Sequence, residues 1–227
     1  MKYNIAGEIV NYSSVHIEIR KRFRDFEIHC SNTKNEIDFD FIGFLKFKDK
    51  NNHLSEIQCE LIYSLQLFFV SLIKRQKLIV HATSVVVGKT CYVFIGKNNV
   101  GKSTIANQII NYFGKTSFVL NDDRTVMGKI GGNLVAWRTP WSKISFGDST
   151  KAYGVGGVIV MSQGREQGIE GLSLNTMTEY LCEMYPLSCR NDIIELTHFL
   201  LADTKLWIIK NNMTDYNVEG LYEVFST

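Results

Sequence analysis

Hydrophobic and polar residues follow two periods along this chain, and these periods divide it into strands and helices. Apolar and polar residues alternate in Phe26–Cys30 and Ile37–Phe41, as they do in half-buried strands. Between Ile57 and Leu72 the apolar residues recur at helical spacing instead. Ser55 and Gln58 have the spacing of a capping box, so this helix is predicted to begin at Ser55.

The first 54 residues are predicted to form a small, mostly β region that packs on a larger domain, residues 55–227. A strand candidate at Met1–Val10 comes before the two alternating runs. Four basic residues lie between these strand candidates: Arg20, Lys21, Arg22 and Arg24. A solvated basic strand or turn is the main interpretation of this segment, and a docking surface for an acidic partner is the alternative.

The larger domain is predicted to begin its sheet with an antiparallel pair, Leu78–Val87 and Cys91–Ile95, joined by a turn at Gly88 and Lys89. A helix follows and ends near Gly114, a plausible C-cap. Further along, the pattern predicts a strand at 116–120, a hairpin within 125–137, a loop at 142–154, strands at 156–161 and 205–209, and helices at 175–185, 191–201 and 215–225. The elements after residue 154 are interpreted as scaffold.

Composition narrows the class of protein. The chain has 227 residues and a net charge of +2, which gives no electrostatic footprint for nucleic acid. Its five scattered cysteines suit a reducing cytoplasm, and its N-terminus lacks the apolar block of a signal peptide. The apolar run Leu61–Ile73 contains Ser64, Gln66 and Ser71, so it is interpreted as a core helix. We therefore expect a cytoplasmic protein without a nucleic-acid or membrane partner; a homo-oligomer is left open.

One stretch matches the phosphate-binding pattern G-x-x-x-x-G-K-[ST] at every fixed position. It consists of Gly96, Lys97, Asn98, Asn99, Val100, Gly101, Lys102 and Ser103, followed by Thr104. A buried strand precedes it and apolar residues at helical spacing follow it, which is the context that the pattern requires. The alternative, a glycine-rich turn with a chance lysine, is disfavoured by this context.

The chemistry of such a loop follows from its residue types. Gly96 and Gly101 are expected to allow unusual dihedrals and a close approach of the backbone to a ligand. The loop amides and the helix N-terminus then favour an anion. Lys102 is predicted to reach the β- and γ-phosphates of ATP, and the Ser103 hydroxyl is predicted to bind Mg²⁺.

Two further positions carry candidate chemistry. Asp122 and Asp123 follow the predicted strand at 116–120, which suits a Mg²⁺ ligand or a general base of phosphoryl transfer. A polar turn is the alternative. His81 lies in the strand predicted to pair with the strand before the loop, so a site role is favoured over a core histidine.

Taken together, these motifs resemble the HPr kinase/phosphorylase family, whose site fold is similar to that of phosphoenolpyruvate carboxykinase. The order is Leu78-Ile79-Val80-His81-Ala82, then the loop, then Leu120-Asn121-Asp122-Asp123. The likeness extends from about Ser55 to Trp141 and includes small relatives such as lasso-peptide kinases. It implies an α/β fold with a mixed, largely antiparallel sheet flanked by helices.

The resemblance also implies roles for single residues. Asp123 matches the aspartate that accepts the proton of the substrate serine, and Asp122 lies where it could hold Mg²⁺. His81 matches the site histidine of the family's L-H-G segment, although Ala82 replaces the glycine. The family's downstream Glu-containing signature and its phosphorylase loop are not found. Phosphorylase activity and HPr as substrate are therefore not implied.

The sequence thus predicts an ATP- and Mg²⁺-dependent kinase that acts on a hydroxyl, foremost a Ser or Thr of a peptide or protein such as a ribosomal precursor peptide. Catalytic roles are predicted for Asp123, His81 and Lys102. Two alternatives stay open: a nucleotide-dependent binding or regulatory protein without transfer, and a kinase of a small-molecule hydroxyl. The phosphoryl donor could also be a compound other than ATP.

Overall fold

The computed structural model describes residues 1–29, 37–164, 168–211 and 220–221. Its strands are β1 (Lys2–Ile5), β2 (Glu8–Asn11), β3 (Glu27–Ile28), β4 (Ile37–Asp38), β5 (Leu78–Val87), β6 (Thr90–Ile95), β7 (Ser117–Asn121), β8 (Arg124–Ile130), β9 (Asn133–Trp137), β10 (Ala152–Gln163), β11 (Gly168–Gly171) and β12 (Leu206–Asn211). Its helices are α1 (Ile17–Phe23), α2 (Phe41–Lys50), α3 (Glu56–Ile73), α4 (Lys102–Phe113), α5 (Leu174–Cys182) and α6 (Arg190–Leu201).

An eight-stranded sheet forms the body of the protein in the order β11-β12-β10-β6-β5-β8-β9, and β7 also pairs with β5. The β10 strand runs parallel to β6 and β12, whereas the other pairs of this sheet are antiparallel. The start of β10 also pairs with β9, so β5, β6, β10, β9 and β8 form a closed ring of paired strands. This ring shields their edges from other chains. The predicted α/β class with a mixed, largely antiparallel sheet is confirmed.

Helices cover both faces of this sheet. Helices α5 and α6 pack on one face, where Met177, Leu181 and Leu200 are fully buried against strands β5, β6 and β10. On the opposite face, α4 buries Ile105 and Ile109 against Phe94 and Ile159. The antiparallel β5–β6 pair, helix α4 and the C-cap at Gly114 all match the sequence-based expectation.

A second sheet of four short strands, in the order β3-β1-β2-β4, lies at the N-terminus. The run Met1–Val10 was predicted as one strand, but it is two antiparallel strands joined at Ala6 and Gly7, which both have positive φ. Tyr3, Ile5 and Val10 pack with Phe68 and Leu72 of α3 and with Trp137 and Trp141. The division of the chain at residue 54 stays a prediction.

Two helices replace predicted non-helical segments in this region. The basic segment is helix α1, because Ile19 and Phe23 lie one helical turn apart and are both buried. The run that begins at Ile37 is strand β4 for two residues and then helix α2, which buries Phe44. The region is therefore less β-rich than predicted. The last residue of the predicted strand Phe26–Cys30 lies outside the described residues.

Helix α3 connects the small sheet with the large one. Its predicted capping box is present: the Ser55 hydroxyl accepts from the Gln58 amide, and the Gln58 side chain accepts from the Ser55 amide. Helix α3 is also long and apolar enough to span a membrane by length and composition alone, with 28% of its 18-residue window buried. Its buried side chains include Phe68 and Leu72, which join the core beneath the small sheet.

The C-terminal half differs from expectation mainly at element ends. Strand β10 begins at Ala152 inside the predicted 142–154 loop, and strand β11 was not predicted. Helices α5 and α6 and strand β12 agree with their predicted positions within a few residues. The predicted helix at 215–225 lies outside the described residues except for 220–221, which are helical.

Replacing Ser55 with Ala is expected to lower the free energy of unfolding by about 1 kcal/mol, because the first turn of α3 loses its cap. Urea denaturation measures this difference. Ser13→Ala serves as the control, since Ser13 is exposed outside any helix. Equal stability of the two variants would contradict a contribution from the cap.

Candidate functional site

The glycine-rich loop lies between β6 and α4, as predicted. Asn99 and Gly101 adopt left-handed conformations, with φ of 63° and 97°. Such conformations in a turn direct successive amides toward one side, which suits an anion. Gly101 is the N-cap of α4, so the positive end of the helix dipole points at the same place.

Gly96 is required for a different reason than the expected dihedral freedom. It is absent from the positive-φ positions of the described chain, but a Cβ built on it would lie 2.8 Å from Val100 Cγ1 and 2.9 Å from the Met161 carbonyl oxygen. Those distances are too short for a side chain. Gly96 therefore lets the loop pack directly on the end of β10.

Lys102 is buried, with 7% of its surface exposed, and folds back over the loop. Its Nζ donates to the carbonyl oxygens of Gly96, at 2.8 Å, and Lys97, at 2.9 Å. Burial lowers the pKa of Lys102, the charge of Asp123 opposes that shift, and the charge of Arg124 adds to it. An ammonium group has three donors, so these two carbonyls leave Lys102 with capacity for a phosphate oxygen.

The acidic pair lies where strand β5 changes its partner. Strand β7 pairs with the second half of β5 and β8 with the first half, and Asp122 and Asp123 form the connection between them. The Ala82 amide donates to the Asp123 carbonyl oxygen at 3.0 Å. The Thr83 hydroxyl donates to the Asp122 carbonyl oxygen at 3.1 Å. The connection is therefore held to β5 on both residues.

Asn121, the last residue of β7, directly precedes this connection and anchors it through hydrogen bonds. It is fully buried, and its Nδ2 donates to the Trp137 carbonyl oxygen at 2.9 Å and the Ser84 hydroxyl at 3.3 Å. Its Oδ1 accepts from the Thr139 amide at 2.8 Å. A buried amide with this many partners has little freedom to rotate, so it fixes the backbone that carries the two aspartates.

His81 and Asp123 form a direct pair. The distance between His81 Nε2 and Asp123 Oδ1 is 3.1 Å, and each side chain is about one third exposed. Arg124 Nη1 donates to the same carboxylate oxygen at 2.8 Å. His81 and Arg124 are also register partners across β5 and β8. The structure thus brings His81 and Asp123 together; their catalytic roles stay predictions.

Charges around Asp123 determine its ionisation. Burial alone would raise the pKa of Asp123, but the hydrogen bond from His81 and the charges of Arg124, His81 and Lys143 outweigh it and lower the pKa. The carboxylate form is therefore favoured in the folded protein. A lower pKa also makes Asp123 a weaker base, which matters for any proton transfer assigned to it.

Asp122, Ser103 and Thr104 are less enclosed. Asp122 Oδ1 accepts from the Lys143 amide at 2.9 Å, and Ser103 and Thr104 are exposed in the first turn of α4. Within the described residues, no group of three or more His, Cys, Asp and Glu side chains could hold a metal ion. A hydroxyl with one or two carboxylates does fit Mg²⁺, which proteins often bind together with substrate phosphates.

A cavity of about 1370 Å³ adjoins the loop and includes His81 and Arg124 in its lining. Four loop residues line it as well: Gly96, Lys97, Asn98 and Val100. The other lining residues are Ile62, Leu65, Gln66, Phe69 and Ile79 before the loop in sequence, and Met161, Ser162, Gln163, Tyr180, Glu183, Met184, Tyr185 and Pro186 after it. Elements after residue 154 therefore line this cavity, which their interpretation as scaffold did not anticipate. Sequence reasoning missed them because no motif marks them.

Tyr185 shows how these missed residues are fixed. Its hydroxyl donates to the Ile79 carbonyl oxygen at 2.5 Å, and its ring stacks on Phe69 at a centroid distance of 5.1 Å. Burial raises the pKa of Tyr185, while the charge of Arg124 acts in the opposite direction. Tyr185 therefore joins the segment after α5 to both β5 and α3 at the cavity wall.

No family model and no curated protein matches this sequence. Among solved structures, the chain is similar to the structure of the Hpr(Ser) kinase/phosphatase from Coxiella burnetii. The TM-score is 0.37 and the sequence identity 12%, over 65% of this chain and 93% of that chain. A TM-score of this size assigns neither a family nor an activity, and the likeness to lasso-peptide kinases stays a prediction.

The pKa of Asp123 is expected to lie below that of an ordinary aspartate, and Arg124→Gln is expected to raise it because one neighbouring charge is removed. A carboxyl-carbon NMR titration of both proteins measures this. Because the folded-state pKa is lowered, the stabilisation is complete above the unfolded value of about 3.9 and is lost as the pH falls through the folded value. An Asp123 pKa that does not respond to Arg124→Gln would contradict the pairing.

Proposed function

We propose that this chain binds ATP and transfers its γ-phosphoryl group to a hydroxyl group. The observation that carries the proposal is the His81–Asp123 pair, 3.1 Å apart, beside a glycine-rich loop with a buried lysine. The charges of Lys102 and Asp123 act on one another, so the two groups belong to one electrostatic site. A phosphate-binding loop next to a carboxylate that can accept a proton is the minimum that a kinase needs.

The loop and Lys102 form the donor side of this site. The amides of the loop and the N-terminus of α4 favour the phosphates, and Lys102 contributes charge at the transferred group. Lys102 is held by two carbonyl oxygens within the loop, so its position is set before a ligand arrives. Such preorganisation avoids a rearrangement during the reaction.

Magnesium would be held by Ser103 and Asp122 together with the phosphates. When bound, Mg²⁺ would neutralise charge that develops on the phosphate oxygens. The Lys143 amide holds one oxygen of Asp122 at 2.9 Å, which orients this carboxylate. That contact would fix the direction from which Asp122 approaches the ion.

Asp123 and His81 form the acceptor side. The acceptor oxygen would form a bond to the γ-phosphorus while the bond from that phosphorus to the β-phosphate oxygen breaks, so that ADP leaves. The hydroxyl proton would pass to the Asp123 carboxylate. His81 would orient this carboxylate through the contact at its Oδ1.

A second candidate function is nucleotide-dependent binding without transfer, and one observation favours it. Asp123 is paired with Arg124 at 2.8 Å, which lowers its basicity. A general base must release such a partner or act while paired with it. If the chain transfers phosphate, replacing Asp123 slows the turnover. If the chain only binds nucleotide, it has no turnover and the replacement has no catalytic effect.

The acceptor is proposed to be a Ser or Thr of a peptide or protein, with a ribosomal precursor peptide as one form. The alternative is a hydroxyl of a small molecule. The protein is proposed to act in the cytoplasm, in keeping with its scattered cysteines. Free cysteines at Cys59, Cys91, Cys182 and Cys189 agree with that setting.

Lys102→Ala is expected to abolish detectable ATP binding and turnover, because the loop loses its buried charge beside the phosphates. Calorimetric titration with ATP and Mg²⁺ measures binding. The exposed Lys115 lies just beyond α4, so Lys115→Ala is the matched control. Unchanged ATP affinity in folded Lys102→Ala would remove the loop from the site.

Asp123→Asn is expected to bind ATP normally and to transfer phosphate about 10²- to 10⁴-fold more slowly, the usual contribution of a general base. His81→Gln is expected to slow transfer less, since it keeps a hydrogen bond to the carboxylate. Initial rates of ADP release and of acceptor labelling measure both. The control is Asp203→Asn, because Asp203 is 91% exposed. Transfer within about twofold in Asp123→Asn would reassign the base, with Asp122 and His81 as candidates.

A further inference from the structure

Helix α3 has a second apolar face that the core buries only in part: Leu65 and Phe69 pack against the core and still line the cavity. The first face consists of positions 60, 64, 68 and 72, all buried. The second face carries Ile62, Leu65 and Phe69, which recur at helical spacing, are only partly buried and line the cavity beside the loop. This second face explains why α3 is apolar enough to resemble a membrane span while only 28% of its window is buried.

The part of the cavity lining that adjoins this face is apolar as well. It includes Met184 and Tyr185, and the Tyr185 ring stacks on Phe69 at 5.1 Å, so these residues and the α3 face form one apolar wall. Ile79 of strand β5, two residues before His81, belongs to the same lining. Residues two apart in a strand point to the same face of the sheet, so the apolar wall begins next to the His81–Asp123 pair.

We propose that this apolar wall binds the phosphoryl acceptor, and that the acceptor is a peptide whose Ser or Thr is flanked by a bulky apolar residue. The inference rests on the proposed kinase function. The acceptor oxygen must approach the phosphorus from the side opposite the leaving group, which in the proposed function is the side of His81 and Asp123. Ile79, on the same face of β5 as His81, is where the apolar wall adjoins that side.

One observation favours a peptide over a small alcohol. The cavity of about 1370 Å³ is also lined by Gly96, Lys97, Asn98 and Val100 of the loop, so the nucleotide of the proposed function shares its volume and the size alone does not select the acceptor. Apolar surface, however, continues outside the cavity. Leu187 follows the lining residue Pro186 and is 81% exposed, and Val70, one helical turn after the lining residue Gln66, is 52% exposed. An extended chain can cover both the wall and its exposed continuation.

The test uses the full-length protein and two short synthetic peptides, each with one serine, flanked by leucines in one and by alanines in the other. Transfer from radiolabelled ATP gives kcat/KM for each peptide, and calorimetry gives the Kd for ATP. The unmodified protein is expected to prefer the leucine peptide by about tenfold or more, a usual contribution of apolar pocket contacts. Leu65→Asn is expected to lose this preference and to keep its Kd for ATP.

Leu67→Asn is the matched control, because Leu67 is on the same helix and does not line this cavity. Urea denaturation of both variants separates loss of folding from loss of recognition. Equal use of the two peptides, or transfer to a small apolar alcohol alone, would overturn the peptide proposal. A weaker Kd for ATP in Leu65→Asn with its peptide preference intact would also overturn it, since the wall would then hold the nucleotide base.

Binding of a fluorescent version of each peptide in the presence of ADP and Mg²⁺ distinguishes failure of the inference from failure of the proposed function. Binding of the leucine peptide without transfer supports the wall and contradicts the kinase. Transfer to both peptides at equal rates supports the kinase and contradicts the wall. Binding of neither peptide overturns the inference whatever the affinity for ATP.

Discussion

Strand β5 holds the site together because it pairs with two strands in succession along one edge. The change of partner from β7 to β8 leaves two residues to make the connection, and these are Asp122 and Asp123. The Ala82 amide and the Thr83 hydroxyl bind their two carbonyl oxygens. His81 comes directly before Ala82 and Thr83 on strand β5. The backbone pairing that builds the sheet therefore also sets the 3.1 Å contact between His81 and Asp123.

Local sequence signals were sufficient for much of this arrangement. The capping box at Ser55, the antiparallel β5–β6 pair, the helix after the glycine-rich loop and the C-cap at Gly114 all depend on residues close in sequence. Helix α1 was not predicted, although its signal is also local. Its apolar face consists of one buried pair, Ile19 and Phe23, and the four basic residues around this pair indicated a solvated segment instead. The two-residue turn within the first strand requires positive φ at Ala6, which its residue type disfavours.

The rest of the site depends on contacts between distant parts of the chain, which no local period encodes. Gly96 packs so closely on Met161 that no side chain fits between them. In the sequence, this glycine is already explained by the loop pattern, so nothing there indicates the contact with Met161. Tyr185 reaches Ile79 and Phe69 across more than a hundred residues. The double apolar face of α3 was visible as high hydropathy, but the sequence could not tell a core face from a cavity wall.

Charge is what most clearly couples the two sides of the site. Asp123 lies among His81, Arg124 and Lys143, which together lower its pKa despite its burial. The charge of Asp123 in turn acts on Lys102, the first residue of α4. Burial at the same time lowers the pKa of Lys102, so the loop holds a cation in a place where its charge is poorly solvated. Under the proposed function, phosphates that enter between them would relieve that cost and compete with Asp123 for the surrounding cations. Their own negative charge would also raise the pKa of Asp123, so filling of the loop would favour transfer of a proton to this carboxylate.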